Sequence, residues 1–148
     1  MKLFLDDFRQ PSDVTWENAN TYKLEGWYVI DTAPKFVSLV DELTSENMPH
    51  VISFDHDLLD EHYMPGRDWS IDVYDSKVFK GVNNWTGFHC AEYLIEHLLK
   101  HDITPPIMFC HSLNEKGAMN INRIWNKFLK IYFDKNNKNE KKIQNETK

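Results

Sequence analysis

Cysteine is scarce in this chain: only Cys90 and Cys110 occur among 148 residues. Both sit in apolar segments, without the paired spacing of a metal site, so they read as reduced core residues and not as a disulfide framework. Long apolar runs are missing too. No stretch approaches the roughly 20 residues of a membrane span. The opening MKLFLDDF meets acid after five residues, too soon for a signal peptide. The expectation is a cytoplasmic protein with no membrane partner. Basic charge is also short, with a formal net charge of −6. Asp134 to Lys148 carry five lysines and three acids, which leaves a body of 12 basic and 20 acidic residues. Such a body repels long nucleic acid, which is held through clustered basic surface. A phosphate ligand would need local arginine, lysine or a metal ion to offset that field.

What is present is an ordinary globular composition rich in large side chains, 41% hydrophobic and 14% aromatic. A chain of this length can bury a core as one domain. Leu3 to Leu5, Trp27 to Ile30, Val51 to Phe54 and Ile107 to Cys110 read as strands. Asp31 and Thr32 can cap one helix and Thr86 another, the first with Pro34 in its first turn and Phe36, Val37, Leu39, Val40 and Leu43 at helical spacing. The second has Phe88, Ala91, Leu94, Ile95 and Leu98 on one face. A last helix is expected from near Gly117, with Ile121, Ile124, Trp125, Phe128 and Tyr132 as its buried stripe. The alternation predicts an α/β domain over residues 1–133, a parallel sheet of four or five strands with helices on both faces. Residues 58–85 break the rhythm as a long aromatic insertion, a length typical of lids or disorder, although its aromatics argue against plain disorder. Residues 134–148 are expected to form a disordered polar tail.

Three strands end in polar clusters: Asp6-Asp7, Asp55-His56-Asp57 and His111-Ser112-Leu113-Asn114. Open parallel sheets bind ligands beyond the carboxyl ends of their strands, so these clusters converge if the strands are neighbours. Carboxylates that close need a cation or a shared proton. Oxygen donors suit Mg²⁺, Mn²⁺ or Ca²⁺, and imidazole shifts the choice toward Mn²⁺, Zn²⁺ or Fe²⁺. Alternation would put Asp55 and Asp57 on one side and His56 on the other. Arg9 can face a phosphate or form a surface ion pair, and His111-Ser112 with Asn114 can equally cap the last helix. His50, His62, His89, His97 and His101 carry no clustering argument and are read as lying on helix surfaces, on a strand approach or in the insertion.

The segments LFLDDFRQP, ISFDHDL, TGFHCAEYLI and FCHSLNEKGAMNI together resemble the cyclic-phosphate processing receiver-like family, related to response-regulator receivers. The resemblance rests on Asp6, Asp7, Arg9, Pro11, Asp55, His56, Asp57, Thr86, Gly87, His111, Ser112, Asn114 and Gly117. It implies a receiver-like (flavodoxin-like) fold reworked for phosphoester hydrolysis, on cyclic phosphates from RNA repair or nucleotide signalling. No fifth strand ending in lysine is found, which opposes a phosphorylation switch at Asp55.

The expected roles follow. Asp6, Asp7 and Asp55 hold a divalent metal ion, Mg or Mn, and His56 and His111 act as general base and acid with Asp55. Arg9, Ser112, Asn114 and Asp57 bind substrate, a small phosphorylated nucleotide; Asp57 could instead orient His56 or complete the metal shell. A metal-free route through the two histidines stays open, as does a module that sequesters a cyclic nucleotide without cutting it. The Asn- and Lys-rich tail and small size suit a phage or mobile-element gene.

Overall fold

The computed structural model describes residues 1–63 and 67–147. Four strands form one parallel sheet in the order β2-β1-β3-β4: β1 (Lys2–Leu5), β2 (Trp27–Ile30), β3 (Val51–Phe54) and β4 (Ile107–Cys110). The fold is a receiver-like α/β sheet flanked by helices. Leu5 lies level with Ile30 and Phe54, and Phe54 with Cys110, so all four strands end at the same edge. β1 and β3 are buried along their whole length, as expected of central parallel strands whose sequences are continuous apolar runs.

Helices lie on both faces, as the alternation predicts, but cover them unequally. Right-handed crossovers explain the asymmetry. The chain moves one way from β1 to β2, then reverses to pass β1 and reach β3 and β4. The first connection therefore lies on one face and the later ones on the other. α2 (Ala33–Asp41), α4 (Gly87–His101) and α5 (Glu115–Glu146) all supply residues to one core, with Leu3, Leu5, Ile52 and Phe54 beneath them. Among the described residues the opposite face carries the segment with a 3₁₀ turn at Pro11–Asp13 and the one-turn α1 (Ala19–Tyr22), packed on Phe4 through Val14 and Tyr22.

The aromatic insertion, apart from residues 64–66, which lie outside the described residues, is ordered. It folds as 3₁₀ turns and the one-turn α3 (Ile71–Tyr74), and Trp69, Tyr74 and Phe79 enter the main core. Two histidines that the sequence left unassigned tie it down. His62 Nδ1 accepts from the Leu58 N–H (2.9 Å) and Nε2–H donates to the Asn84 carbonyl (3.0 Å). His89 Nδ1 accepts from the Thr86 N–H (3.1 Å) and Nε2–H donates to the Tyr74 carbonyl (3.0 Å). Both rings are buried, which corrects their reading as surface or loop residues. Both patterns require a neutral ring, and burial lowers the His62 pKa to about 4. An unfolded histidine takes its proton near 6.5, so folding excludes a proton between those values. Stability should then fall as pH drops from about 6.5 to about 4, by roughly 3 kcal/mol. Urea unfolding of wild type and His62→Gln across that range is the check, and a flatter profile in the variant is the expected result.

The tail departs from expectation as well. α5 begins at Glu115, near Gly117 as expected, but continues to Glu146 with its last turns almost wholly exposed. The packed turns from Ile121 to Phe128 nucleate the helix, and extending it costs far less than starting it. Lys135 reaches Asp102 (3.1 Å) and Lys142 pairs with Glu146 (3.9 Å) one turn on. Among the described residues no helix is long and apolar enough to cross a membrane.

Candidate functional site

Asp6 is the first residue past β1 and accepts four hydrogen bonds. Its Oδ1 takes the N–H groups of Phe8 (2.8 Å) and Arg9 (2.7 Å), and its Oδ2 takes Arg9 Nη1 (3.3 Å) and His111 Nε2 (3.1 Å). Burial alone would raise its pKa, but these donors outweigh burial and hold it below the usual value. Asp6 is a saturated, ionised carboxylate.

Asp55, the first residue past β3, is its opposite. It is buried, its Oδ2 has no hydrogen-bond partner, and Arg9 Nη1 stands 3.5 Å away as an ion pair. Burial, and next the charge of Asp6, raise its pKa to about 7, with Ser112 and Arg9 pulling the other way. Asp7 has a buried Oδ1 without a partner, and its pKa is raised by burial and by Asp6. Arg9 therefore bridges two carboxylates at the topological switch point, where the chain departs from β1 to one side and β3 lies on the other.

His111 is wholly buried past β4 and stacks on Phe4, with ring centroids 4.1 Å apart. Its Nε2–H faces the Asp6 carboxylate, so Nδ1 accepts from Ser53 Oγ (2.6 Å), which accepts in turn from the Tyr22 hydroxyl (2.7 Å). Burial lowers the His111 pKa and keeps the ring neutral. Asp6, Asp55 and His111 each offer a donor atom within 4.8 Å of the others, a group that can hold a metal ion. Asp7 stands outside that group.

The model of the cyclic-phosphate processing receiver domain matches residues 1–127, the whole span of these strand ends. The chain belongs to that family. Among curated proteins and solved structures, none matches it.

The family's FDHDL strand end holds a second, separate pair. His56 is fully buried, and its Nδ1–H donates to Asp57 Oδ1 (2.7 Å) while Nε2 accepts from the Tyr74 hydroxyl (2.9 Å). Asn120 Nδ2 donates to that hydroxyl at 2.9 Å. Asp57 thus lies beside His56, where strict alternation would have parted them, because β3 ends at Phe54 and the pleat ends with it. His56 packs against Trp69 and Tyr74 in the main core, while His111 sits against Phe4 and Tyr22 of the other layer. The two imidazoles do not meet, and neither presents a free nitrogen to solvent.

Ser112 and Asn114, from the HS-x-N-x-x-G turn, line a cleft of about 300 Å³ with Arg9, Asp55, Asp57 and Tyr63. Ser112 Oγ accepts from the Asn114 N–H (3.2 Å). Asn114 caps α5, its Oδ1 accepting from Gly117 N (2.9 Å), while its amide nitrogen contacts both oxygens of Asp57 at 3.3 Å. Gly117 abuts the His56 ring, where a Cβ would lie 2.3 Å from Cγ. Arg9 also borders a second, larger cleft of about 720 Å³ with Asp6 and Asp7.

Sequence reasoning missed three participants. Ser53 is a polar residue inside an apolar strand, a signal that was readable. Tyr22 completes its chain without any local signal. Tyr63 is brought to the small cleft by the 3₁₀ turn at Asp60–Tyr63, and its pKa is raised by burial and then by Asp55, Asp7 and Asp57. Nothing in its neighbourhood of the sequence marks it.

Proposed function

We propose that the domain hydrolyses a cyclic phosphate carried on a small nucleotide or nucleotide sugar, with help from a divalent ion. The observation that carries this reading is the unpartnered, buried Oδ2 of Asp55 beside Arg9 at the switch point. A buried carboxylate oxygen without a donor is costly unless a cation or proton completes it.

The residues present fit a metal ion on that ground. Asp6, Asp55 and His111 would hold it once His111 Nε2 gives up the proton that it donates to Asp6 in the metal-free protein, and two carboxylates with one imidazole suit Mn²⁺ as well as Mg²⁺. When bound, the ion supplies charge neutralisation to the phosphate. The chain's own groups supply the rest. Arg9 directs the N–H groups not taken by its carboxylates at phosphate oxygens. Without the ion, burial and then the charge of Asp6 push the Asp55 carboxyl up to about 7, so a proton or a cation can complete Oδ2. In the metal-free protein His111 orients Asp6 through Nε2–H, and Ser53 and Tyr22 hold His111. Ser112 adds a hydroxyl at the cleft wall. His56 and His111 have both ring nitrogens engaged, so they act here as positioning residues in place of the general base and acid expected from sequence.

That engagement also favours a second reading, in which the domain binds and sequesters a cyclic nucleotide unchanged. Phosphorus NMR separates the two, using 2′,3′-cyclic and 3′,5′-cyclic nucleotides and ADP-ribose cyclic phosphate, with Mn²⁺ and with EDTA. Conversion of a cyclic resonance to a monoester, slowed at least about 100-fold by Asp55→Asn, is the expected result. A resonance that broadens but keeps its shift supports sequestration. If no resonance changes at all, both readings fall.

A further inference from the structure

Phe8 is 86% exposed although it stands between Asp7 and Arg9, and Tyr28 on β2 is 56% exposed. The fold gives neither ring a packing role that explains its place. Both border the larger cleft, about 720 Å³, which has Asp6, Asp7 and Arg9 at one end and Pro34 and Leu39 of α2 along its side. The smaller cleft, about 300 Å³, lies at the bottom of the range that encloses a drug-sized ligand, and the larger lies well inside it. Arg9 lines both.

The charges are one-sided. Asp6, Asp7, Asp31 and Glu42 face the larger cleft against Arg9 and Lys35. Both cations are already paired, Lys35 with Asp31 at 2.7 Å and Arg9 with Asp6 and Asp55. Such a lining suits a flat, uncharged group that carries hydrogen-bond donors, and it repels a second phosphate.

From these observations we infer that the larger cleft is a nucleoside subsite, in which Phe8 and Tyr28 stack the base of a substrate whose single cyclic phosphate lies at Arg9. The inference rests on the cyclic-phosphate reading and narrows it to mononucleoside cyclic phosphates, against cyclic dinucleotides and pyrophosphate-linked sugars. Base stacking on an aromatic ring commonly contributes enough to change affinity tenfold or more.

Calorimetric titration of the full chain with slowly hydrolysed cyclic phosphorothioates tests it. Three ligands suffice: the adenosine 2′,3′ form, the base-free methyl riboside 2,3 form and an ADP-ribose form with a cyclic phosphorothioate. The adenosine ligand should bind at least about tenfold tighter than the base-free one, and the pyrophosphate ligand should lose most of that gain. Phe8→Ala and Tyr28→Ala should each remove most of the preference and leave base-free affinity unchanged. Phe8 is so exposed that its truncation should leave the fold intact. Equal affinity for adenosine and base-free ligands, or a preference that both variants retain, overturns the subsite while leaving the phosphate reading standing. Binding of none of the three overturns both.

Discussion

Gly87→Ala is expected to lower the melting temperature by about 10 °C or more. A Cβ at this position would lie 1.7 Å from the Asp55 carbonyl oxygen, 2.9 Å from its carbon and 3.2 Å from the His56 Cα. These are backbone atoms at the end of a central strand, so no rotamer change relieves the clash. The Gly87 N–H also donates to the His56 carbonyl at 2.8 Å, and that bond ties the start of α4 to the strand end. Either α4 lifts away or Asp55 shifts. Overpacking of this kind costs roughly 3 kcal/mol or more, beyond the gain of up to about 1 kcal/mol from alanine's helix propensity. Gly117→Ala should act similarly but through a side chain, because its Cβ would fall 2.3 Å from a His56 ring that is held on both nitrogens. Thermal unfolding of the two variants decides the matter. A change below about 2 °C in Gly87→Ala would show that the close approach is not a constraint.

Asp55→Asn should do the reverse, stabilising the metal-free protein at pH 7.5 by roughly 2 to 4 kcal/mol while abolishing turnover. The Asp55 carboxyl is pushed up to about 7, well above the usual carboxylate range, by burial and then by the charge of Asp6. A carboxyl with a raised folded pKa binds its proton more tightly when folded. Its stabilising contribution is complete below about 4 and is lost as pH climbs through about 7. The neutral amide of asparagine avoids that loss, so the variant should match wild type near pH 4 and exceed it above pH 7. His62 works in the opposite sense over much the same window, and only the differences between variants isolate each group. Urea unfolding in EDTA from pH 4 to pH 8 reads the effect. Added Mn²⁺ should raise wild-type stability and leave Asp55→Asn unmoved. A variant less stable than wild type at pH 7.5 would mean that Arg9 compensates the Asp55 charge more fully than its geometry suggests. A gain in stability with a loss of activity would mark Asp55 as a residue kept for chemistry.

Much of this protein was legible in its sequence. The four strands follow from short apolar runs that stop at charged or polar residues, and Thr32 and Thr86 each sit at a helix N-cap. Placing Asp6, Asp55 and His111 just past strand ends needed only run lengths and the rule for parallel sheets. These are local properties, decided by neighbours in the chain.

Which polar groups are free to act was decided only by the tertiary structure. His111 and Asp6 are 105 positions apart, and His111 and Ser53 are 58 apart. No local pattern reveals that both nitrogens of His111 are engaged, that His56 is held by Asp57 and Tyr74, or that the Oδ2 of Asp55 is left without a hydrogen-bond donor. The insertion's aromatics read mostly as hydrophobic anchors, and Trp69, Tyr74 and Phe79 do enter the core, while Tyr63 and Trp69 also line the small cleft. The polar tail looked disordered because its composition cannot bury a face, yet a helix already nucleated by Ile121, Trp125 and Phe128 carries it on. Sequence sets where a polar residue stands along the chain; hydrogen bonding and desolvation act between residues that only the fold makes neighbours, and they settle what that residue can do.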